Sequence, residues 1–197
     1  MKRIFDVIAS GLGLVVLSPL FLILAVWIKL DSKGPVFYRQ VRVGLHNKDF
    51  RIFKFRSMRV GADKGSLVTI GGRDPRITRS GYFIRKFKFD ELPQLINVFV
   101  GDMSLVGPRP EVRHYVDYWT DEQMHVLDVR PGITDPASIK FRNENELMEQ
   151  AEDPEKYYIE VIMQEKLKLY LEYVQNHSFL GDIGLIFKTF WVIVKER

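Results

Sequence analysis

The chain has 197 residues, 46% of them hydrophobic and 27% charged, which suffices for one packed domain and excludes wholesale disorder. It contains no cysteine, so a disulfide framework, a thiolate zinc site and a cysteine nucleophile are excluded together, and the four scattered histidines (His46, His114, His125, His177) lack metal-ligand spacing. The net charge of +4 hides an asymmetry: residues 1–110 carry 19 Lys/Arg against 8 Asp/Glu, whereas residues 111–197 carry 10 against 17. The basic half calls for an anionic counterpart, which could be nucleic acid, phosphate ligands, a lipid surface or the acidic half of the same fold.

Residues 7–28 form 22 consecutive residues without a charge. As a straight helix they reach ~33 Å, just enough to span a bilayer core. The run is longer than a signal-peptide core and has no small-residue cleavage site, so it stays in the protein. Pro19 near its middle removes a backbone donor and clashes with the carbonyl of Val15, and Ser18 can satisfy a freed carbonyl through its hydroxyl. Lys2 and Arg3 precede the run, and Lys29 and Lys33 follow it. Positive charge on both flanks asks for both ends on the cytoplasmic side. A helix–break–helix that enters one leaflet and returns meets these constraints; a kinked spanning helix meets the length requirement equally well. The hydrophobic start argues against nucleic acid as the partner of the basic half.

Residues 35–55 read as two strands around a turn at 44–48, because PVFYRQVRV and FRIFKF carry β-branched and aromatic residues. Residues 60–80, rich in Gly, Asp, Arg and Thr, read as a long loop, of a length that is usually functional or disordered. A helix is predicted from about Asp90, with Pro93 in its first turn, an apolar face of Leu92, Leu95, Ile96 and Phe99, and Gly101 as its stop. GDMSLVGPRP (101–110) reads as a turn-rich loop. Thr120 and Gln123 have capping-box spacing and open a short helix to about Asp128, stopped by Arg130-Pro131-Gly132. Asp153-Pro154 starts a helix with the stripe Ile159, Met163, Leu167, Tyr170 and Val174. The last helix, 179–195, places Phe179, Ile183, Ile186, Phe187, Phe190, Trp191 and Val194 on one face, with Lys188 and Lys195 nearby. That face suits either core packing or a membrane interface.

Walker-type, GxGxxG, GxSxG and HExxH motifs are all absent. What stands out is an acidic pair, Asp90-Glu91, in a basic neighbourhood. Arg85, Lys86 and Lys88 precede it; Lys54, Arg56, Arg59, Arg73, Arg76 and Arg79 lie upstream, and Arg109 and Arg130 downstream. Such a pair at a helix start is ordinarily a cap with surface ion pairs. So many cations, however, ask for an anion larger than two carboxylates, and phosphate is the obvious one. One carboxylate can attack phosphorus while the other holds Mg²⁺, a hard cation that prefers oxygen ligands. An anionic nucleophile approaching a diphosphate faces on the order of 4 kcal/mol per unit-charge pair at ~4 Å and an effective dielectric of about 20, so surrounding cations are required.

Several stretches in this order resemble the bacterial sugar transferase family, the monotopic phosphoglycosyl transferases: KFRSM (54–58), DPRITRSGYFIRK (74–86), DELPQL (90–95), GDMSLVGPRPE (101–111) and RPGIT (130–134). The resemblance covers nearly the whole chain. It implies an α+β, mainly helical, membrane-anchored monotopic protein with a re-entrant helix–break–helix at Ser18-Pro19, a small β-hairpin and interfacial amphipathic helices. The implied division is a membrane hairpin over 1–33 and a catalytic domain over 34–197, on the cytoplasmic face of the bacterial inner membrane. The implied reaction moves a sugar phosphate from a UDP-sugar to undecaprenyl phosphate and releases UMP, the first membrane step of glycoconjugate assembly. In the family pattern Asp90 is the nucleophile and Glu91 holds Mg²⁺, with a covalent aspartyl-phosphosugar intermediate and ping-pong turnover. Lys54, Arg56, Arg85, Arg109 and Arg130 then serve phosphate or nucleotide contacts. The resemblance leaves room for a homodimer.

Two departures from the family pattern stand out. Lys88-Phe89 stand where a small polar residue and leucine are common, and Asp135 stands where many members have glycine. The stretch PASIKFRNENEL (136–147) resembles short members that handle UDP-N-acetylated sugars, and the chain reads as a minimal catalytic unit without the extra N-terminal membrane domain of longer members. Two other classes remain open on the residues alone: a membrane-surface binding module without turnover, and a phosphate-handling hydrolase using the same acidic pair.

Overall fold

In the computed structural model, which describes residues 1–62, 74–141 and 144–195, the apolar start of the chain is one helix, α1 (Lys2–Asp31). Pro19 lies inside it and leaves the Val15 carbonyl without its backbone donor; the Ser18 hydroxyl donates to that carbonyl at 2.7 Å. The expected separation into two helices is corrected to this extent: helical backbone runs through the Ser-Pro pair, because a side chain supplies the bond that proline removes. Among the described residues, α1 is the helix long and apolar enough to cross a membrane.

The buried residues of α1 lie near its two ends, Asp6 and Ser10 at one and Leu24 and Ile28 at the other. Both ends are tied to the rest of the protein by polar contacts. Arg3 donates to the carbonyls of Val98 (2.6 Å) and Phe99 (3.0 Å), and Asp6 accepts from the Ser104 hydroxyl (2.9 Å) and the Leu105 N–H (3.1 Å). At the far end Asp31 accepts from the Ser80 N–H (2.9 Å) and hydroxyl (2.8 Å). Between these anchors Ile4, Ile8, Leu12, Val15, Leu22, Val26 and Leu30 stay exposed at three-, four- and seven-residue spacing, an apolar stripe along the outer face.

The expected hairpin is present as β1 (Phe37–Tyr38), β2 (Val41–Val43), β3 (Asp49–Arg51) and β4 (Lys54–Phe55). Strand β2 pairs antiparallel with β3, Arg42 opposite Phe50, and β1 with β4, Phe37 opposite Phe55. Residues 63–73, including Arg73 and most of the expected loop, lie outside the described residues. Helix α2 (Arg79–Lys86), which the sequence did not signal, starts at Thr78, whose hydroxyl accepts from the Gly81 N–H at 3.0 Å. Lys88 then turns the chain with left-handed backbone (φ 58°), and a 3-10 turn over Phe89–Glu91 leads to α3 (Gln94–Val100), which Gly101 ends at φ 104°. The acidic pair thus sits in a tight turn ahead of the helix and does not open it.

Helix α3 turns a polar side inward. Gln94 and Asn97 are buried, while Phe99 is about half exposed. Asn97 Oδ1 accepts from the Phe53 N–H (2.8 Å), and its amide donates to the Arg51 carbonyl (3.0 Å) and to Asp102 (3.1 Å), so α3 pins the hairpin through an amide. The predicted apolar face is instead turned toward α1, where Leu95 and Phe99 lie over Gly13 and Gly11. The inversion has a physical reason: α1 and lipid-type surroundings reward apolar side chains on the outside, and the ragged hairpin leaves backbone groups inside that need partners.

The 101–110 segment is a loop only in part. β5 (Ser104–Val106) forms a parallel pair with β6 (Gly132–Thr134), Ser104 opposite Gly132 and Val106 opposite Thr134. Three-residue strands have too little periodicity to read. The remainder is helical: α4 (Arg113–Val116), α5 (Asp121–Met124), α6 (Pro136–Lys140), α7 (Glu144–Glu149), α8 (Pro154–Tyr157), α9 (Met163–Asn176) and α10 (Phe179–Lys195). The Thr120–Gln123 capping box and the Asp153 cap form as expected. A π-helical turn over Tyr158–Ile162 inserts one residue before α9, so the buried stripe runs through Tyr158, Ile162, Met163, Leu167 and Tyr170, not Ile159 and Val174. On α10, Asp182 is buried, held by Lys2 and by the Tyr173 hydroxyl (2.7 Å), whereas Phe187 and Trp191 are exposed; the Phe190 and Val194 side chains lie outside the described set. Phe187 and Trp191 therefore lie outside the packed core, while Phe179 meets the Phe5 ring edge-on with centroids 5.5 Å apart.

Where β5 meets β6 the backbones approach so closely that side chains are excluded. A Cβ on Gly107 would stand 2.3 Å from the Arg130 carbonyl oxygen, and one on Gly132 would stand 2.1 Å from the Gly107 nitrogen. Gly107→Ala is expected to cost about 1–3 kcal/mol in stability, read as a lowered unfolding midpoint of the detergent-solubilised protein, and to reduce activity because the same loop carries Arg109.

Candidate active site

Three separate segments bring charge to one place. Lys54 comes from β4, Asp90 and Glu91 from the 3-10 turn after α2, and Arg109 from the loop after β5. Lys54 Nζ donates to Glu91 Oε1 at 3.0 Å. Arg109 makes a two-pronged pair with Glu91, one arm to Oε1 and the other to Oε2 at 3.2 Å. Burial by itself pushes the Glu91 carboxyl pKa up, but Arg109 and Lys54 together overrule it and hold the group well below the usual carboxylate range. The Arg109 guanidinium is pushed up in turn, chiefly by Glu91. Burial lowers the Lys54 ammonium, with Glu91 opposing.

Asp90 is treated oppositely by the same turn. It is only 9% exposed, and its Oδ1 has no hydrogen-bond partner among the described residues. Burial first, and then the negative charge of Glu91, push its carboxyl pKa upward; Lys54, Arg85 and Lys88 pull the other way. Two neighbouring carboxylates are thereby differentiated: one is ionised and clamped, the other is under-solvated, short of hydrogen bonds and backed by cations. The second kind of group keeps an oxygen lone pair that is not occupied elsewhere among the described residues.

The bacterial sugar transferase family profile matches residues 1–196. The chain belongs to the bacterial sugar transferase family. It is 40% identical over 197 residues to the UDP-N-acetylgalactosamine-undecaprenyl-phosphate N-acetylgalactosaminephosphotransferase of Aeromonas hydrophila, covering 98% of this chain and 44% of that protein. It is 37% identical over 193 residues to the UDP-glucose:undecaprenyl-phosphate glucose-1-phosphate transferase of Escherichia coli K12, covering 96% of this chain and 39% of the relative. An uncharacterised sugar transferase of Bacillus subtilis, EpsL, is 38% identical over 190 residues, covering 96% of this chain and 85% of that protein. The chain thus spans about two fifths of the length of the first two relatives.

In this chain the basic residues expected at the site separate into two groups. Lys54 and Arg109 touch Glu91 directly, and the charge of Arg85 reaches Asp90. Arg56 and Arg130 do not join them. Arg56 is buried and donates to the carbonyls of Ser32 (2.8 Å) and Lys33 just past the end of α1. Those carbonyls lack helical partners, and a guanidinium at a helix C-terminus satisfies both them and the dipole. Arg56 therefore caps α1, a correction to its assignment as a phosphate ligand. Arg130 donates through Nε to the Gly101 carbonyl at 3.0 Å, bracing the α3–β5 turn against β6, and stays exposed.

Other residues entered the site without a motif to announce them. Arg42 donates to the Pro110 carbonyl (3.0 Å) and to Glu111 (3.3 Å), which also accepts from the Tyr158 hydroxyl. This holds the Pro-Arg-Pro loop from the side opposite Glu91. Asp135 is buried as the cap of α6, accepting from the Ala137 and Ser138 N–H groups at 2.9 and 2.7 Å and from the Tyr170 hydroxyl at 3.2 Å. Its charge faces Arg109. Alternation along β2 put Arg42 on the same hairpin as Lys54, but nothing in the sequence linked it to position 111.

No group of three or more His, Cys, Asp or Glu that could hold a metal by themselves occurs among the described residues. Asp90 and Glu91 do match the habit of Mg²⁺, which takes one or two carboxylates and completes its shell with water and substrate phosphates. Asp90 Oδ1 has no hydrogen-bond partner among the described residues, and Glu91 Oε2 accepts from Arg109 at 3.2 Å, whereas Oε1 accepts from both Lys54 and Arg109. The donor set fits an ion that arrives with a diphosphate.

Arg109→Met leaves Glu91 with Lys54 alone. The expected loss is about 1–3 kcal/mol, below the ~3–5 kcal/mol of a fully buried pair because Arg109 is partly exposed. Denaturant unfolding in detergent reads it, and Arg109→Lys should restore only part because the two-pronged geometry is lost.

Proposed function

We propose that this protein transfers a sugar 1-phosphate from a UDP-sugar to undecaprenyl phosphate and releases UMP. The observation that carries the reading is the division of labour in the acidic pair: Asp90 buried and short of hydrogen bonds, Glu91 clamped by Lys54 and Arg109. In the first half-reaction an Asp90 carboxylate oxygen attacks the phosphorus attached to the sugar. The bond to the bridging oxygen of the diphosphate breaks and its electron pair leaves with UMP, so the sugar phosphate remains as an acyl phosphate on Asp90. In the second, a phosphate oxygen of undecaprenyl phosphate attacks the same phosphorus and frees the Asp90 carboxylate. The product is a polyprenyl-diphosphate sugar.

Lys54, Arg85 and Arg109 supply positive charge where an anionic nucleophile must meet an anionic substrate, a juxtaposition that is unfavourable without them. Glu91 would hold Mg²⁺ together with the substrate phosphates, and the ion, when bound, would neutralise charge on the diphosphate. Arg42 and Asp135 keep the Arg109 loop in place from its two sides. The sugar in this reading is N-acetylated, supported by the likeness of 136–147 to short members of the family; the named relatives act on N-acetylgalactosamine and on glucose donors. The reaction is the entry step of a membrane glycoconjugate pathway.

The topology proposed is monotopic. Both ends of α1 hydrogen-bond to the same body, through Arg3 and Asp6 at one end and Asp31 at the other. A helix crossing the bilayer would send those ends to opposite sides. A segment bent at Ser18-Pro19 that enters and leaves one leaflet keeps them together, and the basic flanks assign that side to the cytoplasm.

Asp90→Asn is expected to abolish both UMP release from UDP-sugar and the trapped covalent sugar phosphate, by at least about a thousandfold. Unchanged UMP release in that variant would sink the nucleophile assignment. A hydrolase would release UMP from wild type with water alone at the rate seen with acceptor, and a binding module would release none. For topology, tags at both termini are expected to react only from the cytoplasmic side, and Pro19→Leu is expected to straighten α1 and shift a fraction of molecules to opposite-side labelling; opposite-side labelling of the unaltered chain would refute the monotopic arrangement.

A further inference from the structure

Beyond the charged cluster lies a run of aromatic rings that connects α1 to Asp90. Trp27 on α1 meets Phe83 on α2 with ring centroids 5.3 Å apart, Phe83 meets Phe87 at 4.5 Å and Phe89 at 6.2 Å, and Phe87 stacks on Phe89 at 5.6 Å. Phe89 backs onto the buried cluster of Leu24, Ile28, Phe55 and Ile84. Trp27 and Phe83, in contrast, are 38% and 40% exposed, so the run has a supported rear and an open front.

The backbone is specifically arranged to build this strip. Residues two apart on a continuing helix point to nearly opposite sides. Phe87 and Phe89 nevertheless stack with planes 25° apart, because Lys88 between them takes the left-handed conformation. That conformation is disfavoured for a non-glycine residue. The same left-handed residue ends the α2 region and starts the turn that presents Asp90.

Charge along the strip is graded. At the α1 end the neighbours are the exposed apolar residues Ile23, Val26 and Leu30. At the other end Lys86 lies 5.9 Å from the Phe87 ring centre, and the charges of Arg85 and Lys88 face Asp90. A ligand complementary to this surface is greasy along its length and anionic at its head. A nucleotide sugar, polar throughout, is not; the first isoprene units and phosphate of a polyprenyl phosphate are.

We propose that the Trp27–Phe83–Phe87–Phe89 strip is the acceptor lane, receiving the isoprene units next to the phosphate while Arg85 and Lys88 guide that phosphate to Asp90. The proposal rests on the transferase reading above and adds to it the residues that select the second substrate. Phe83 and Trp27 face the lane without touching the dyad, so their substitution separates the two half-reactions.

The experiment compares wild type, Phe83→Ser, Phe83→Leu and Trp27→Ser in three measurements: covalent adduct formation with UDP-sugar alone, KM for undecaprenyl phosphate, and KM for a short alkyl phosphate lacking isoprene units. The expected result for each Ser variant is adduct formation within about twofold of wild type, a KM for undecaprenyl phosphate raised about tenfold and an unaltered KM for the alkyl phosphate. Phe83→Leu should recover most of the loss, since it restores apolar surface without the ring. An unchanged KM for undecaprenyl phosphate, or an equal rise for both acceptors, overturns the lane. A parallel fall of both half-reactions in the two Ser variants also overturns it, since it would make the rings supports of the Asp90 turn. Absence of any adduct in wild type would instead strike the transferase reading itself.

Discussion

Glu91 sits between Lys54 and Arg109, and the molecule is organised around keeping it there. A carboxylate removed from water is costly unless its charge is matched, and the two cations come from segments far from it in sequence. The hairpin must bring Lys54 in from one side, and the β5 loop must bring Arg109 in from the other. Asn97 fixes the hairpin to α3, Gly107 and Gly132 allow β5 to press against β6, and Arg42 ties the arginine loop back to the hairpin. Each of these contacts would be an unremarkable packing detail elsewhere. Here they close a ring around the acidic turn, and the neighbouring Asp90 inherits a site rich in positive potential in which its own oxygen is left unengaged.

The same body has to meet a hydrophobic surrounding, and this inverts the usual placement of residues. On α3 the amides face in and Phe99 faces out; on α10 Asp182 is the buried residue and Trp191 is among the exposed ones. Burial of Asn97 and Asp182 is offset by pairing, Asn97 with the hairpin backbone and Asp182 with Lys2 and Tyr173, whereas the buried Gln94 Nε2 has no partner among the described residues. The apolar exterior is continuous in character with the outer stripe of α1. In the monotopic arrangement proposed above, the chemistry would lie close to the headgroup level, where a lipid-borne phosphate is concentrated and a soluble nucleotide sugar can reach it from the water.

The charge asymmetry of the chain is also explained. Pairs such as Lys2–Asp182 and Arg42–Glu111 join the basic and acidic halves, so part of the imbalance is internal neutralisation. Arg56 and Arg130 are spent on carbonyl oxygens at chain turns. The surplus concentrates around Asp90, where three nearby cations exceed what the acidic pair alone requires. Excess positive charge at a buried turn is stable as a resting state only where solvent or a ligand can reach it.

Much of this was readable from residue order. An uncharged run of that length with Ser-Pro in it, a capping box at Thr120, a proline-led start at Asp153, an acidic pair among arginines and the family motifs are local features, and local chemistry determines them before any long-range contact exists. The sequence could not decide which of several chemically identical guanidiniums would reach the carboxylates. Arg56 and Arg109 are equivalent as side chains, yet one ends on the last carbonyls of α1 and the other on Glu91, because backbone routes separated by dozens of residues set where each can reach. Nor did periodicity reveal which face of α3 is inside, since a moment reports amphipathicity and not the polarity of what lies opposite. Composition and spacing therefore determined what chemistry this protein has available; the tertiary structure decided which atoms carry it out, because burial and charge pairing are properties of neighbours that only folding assembles.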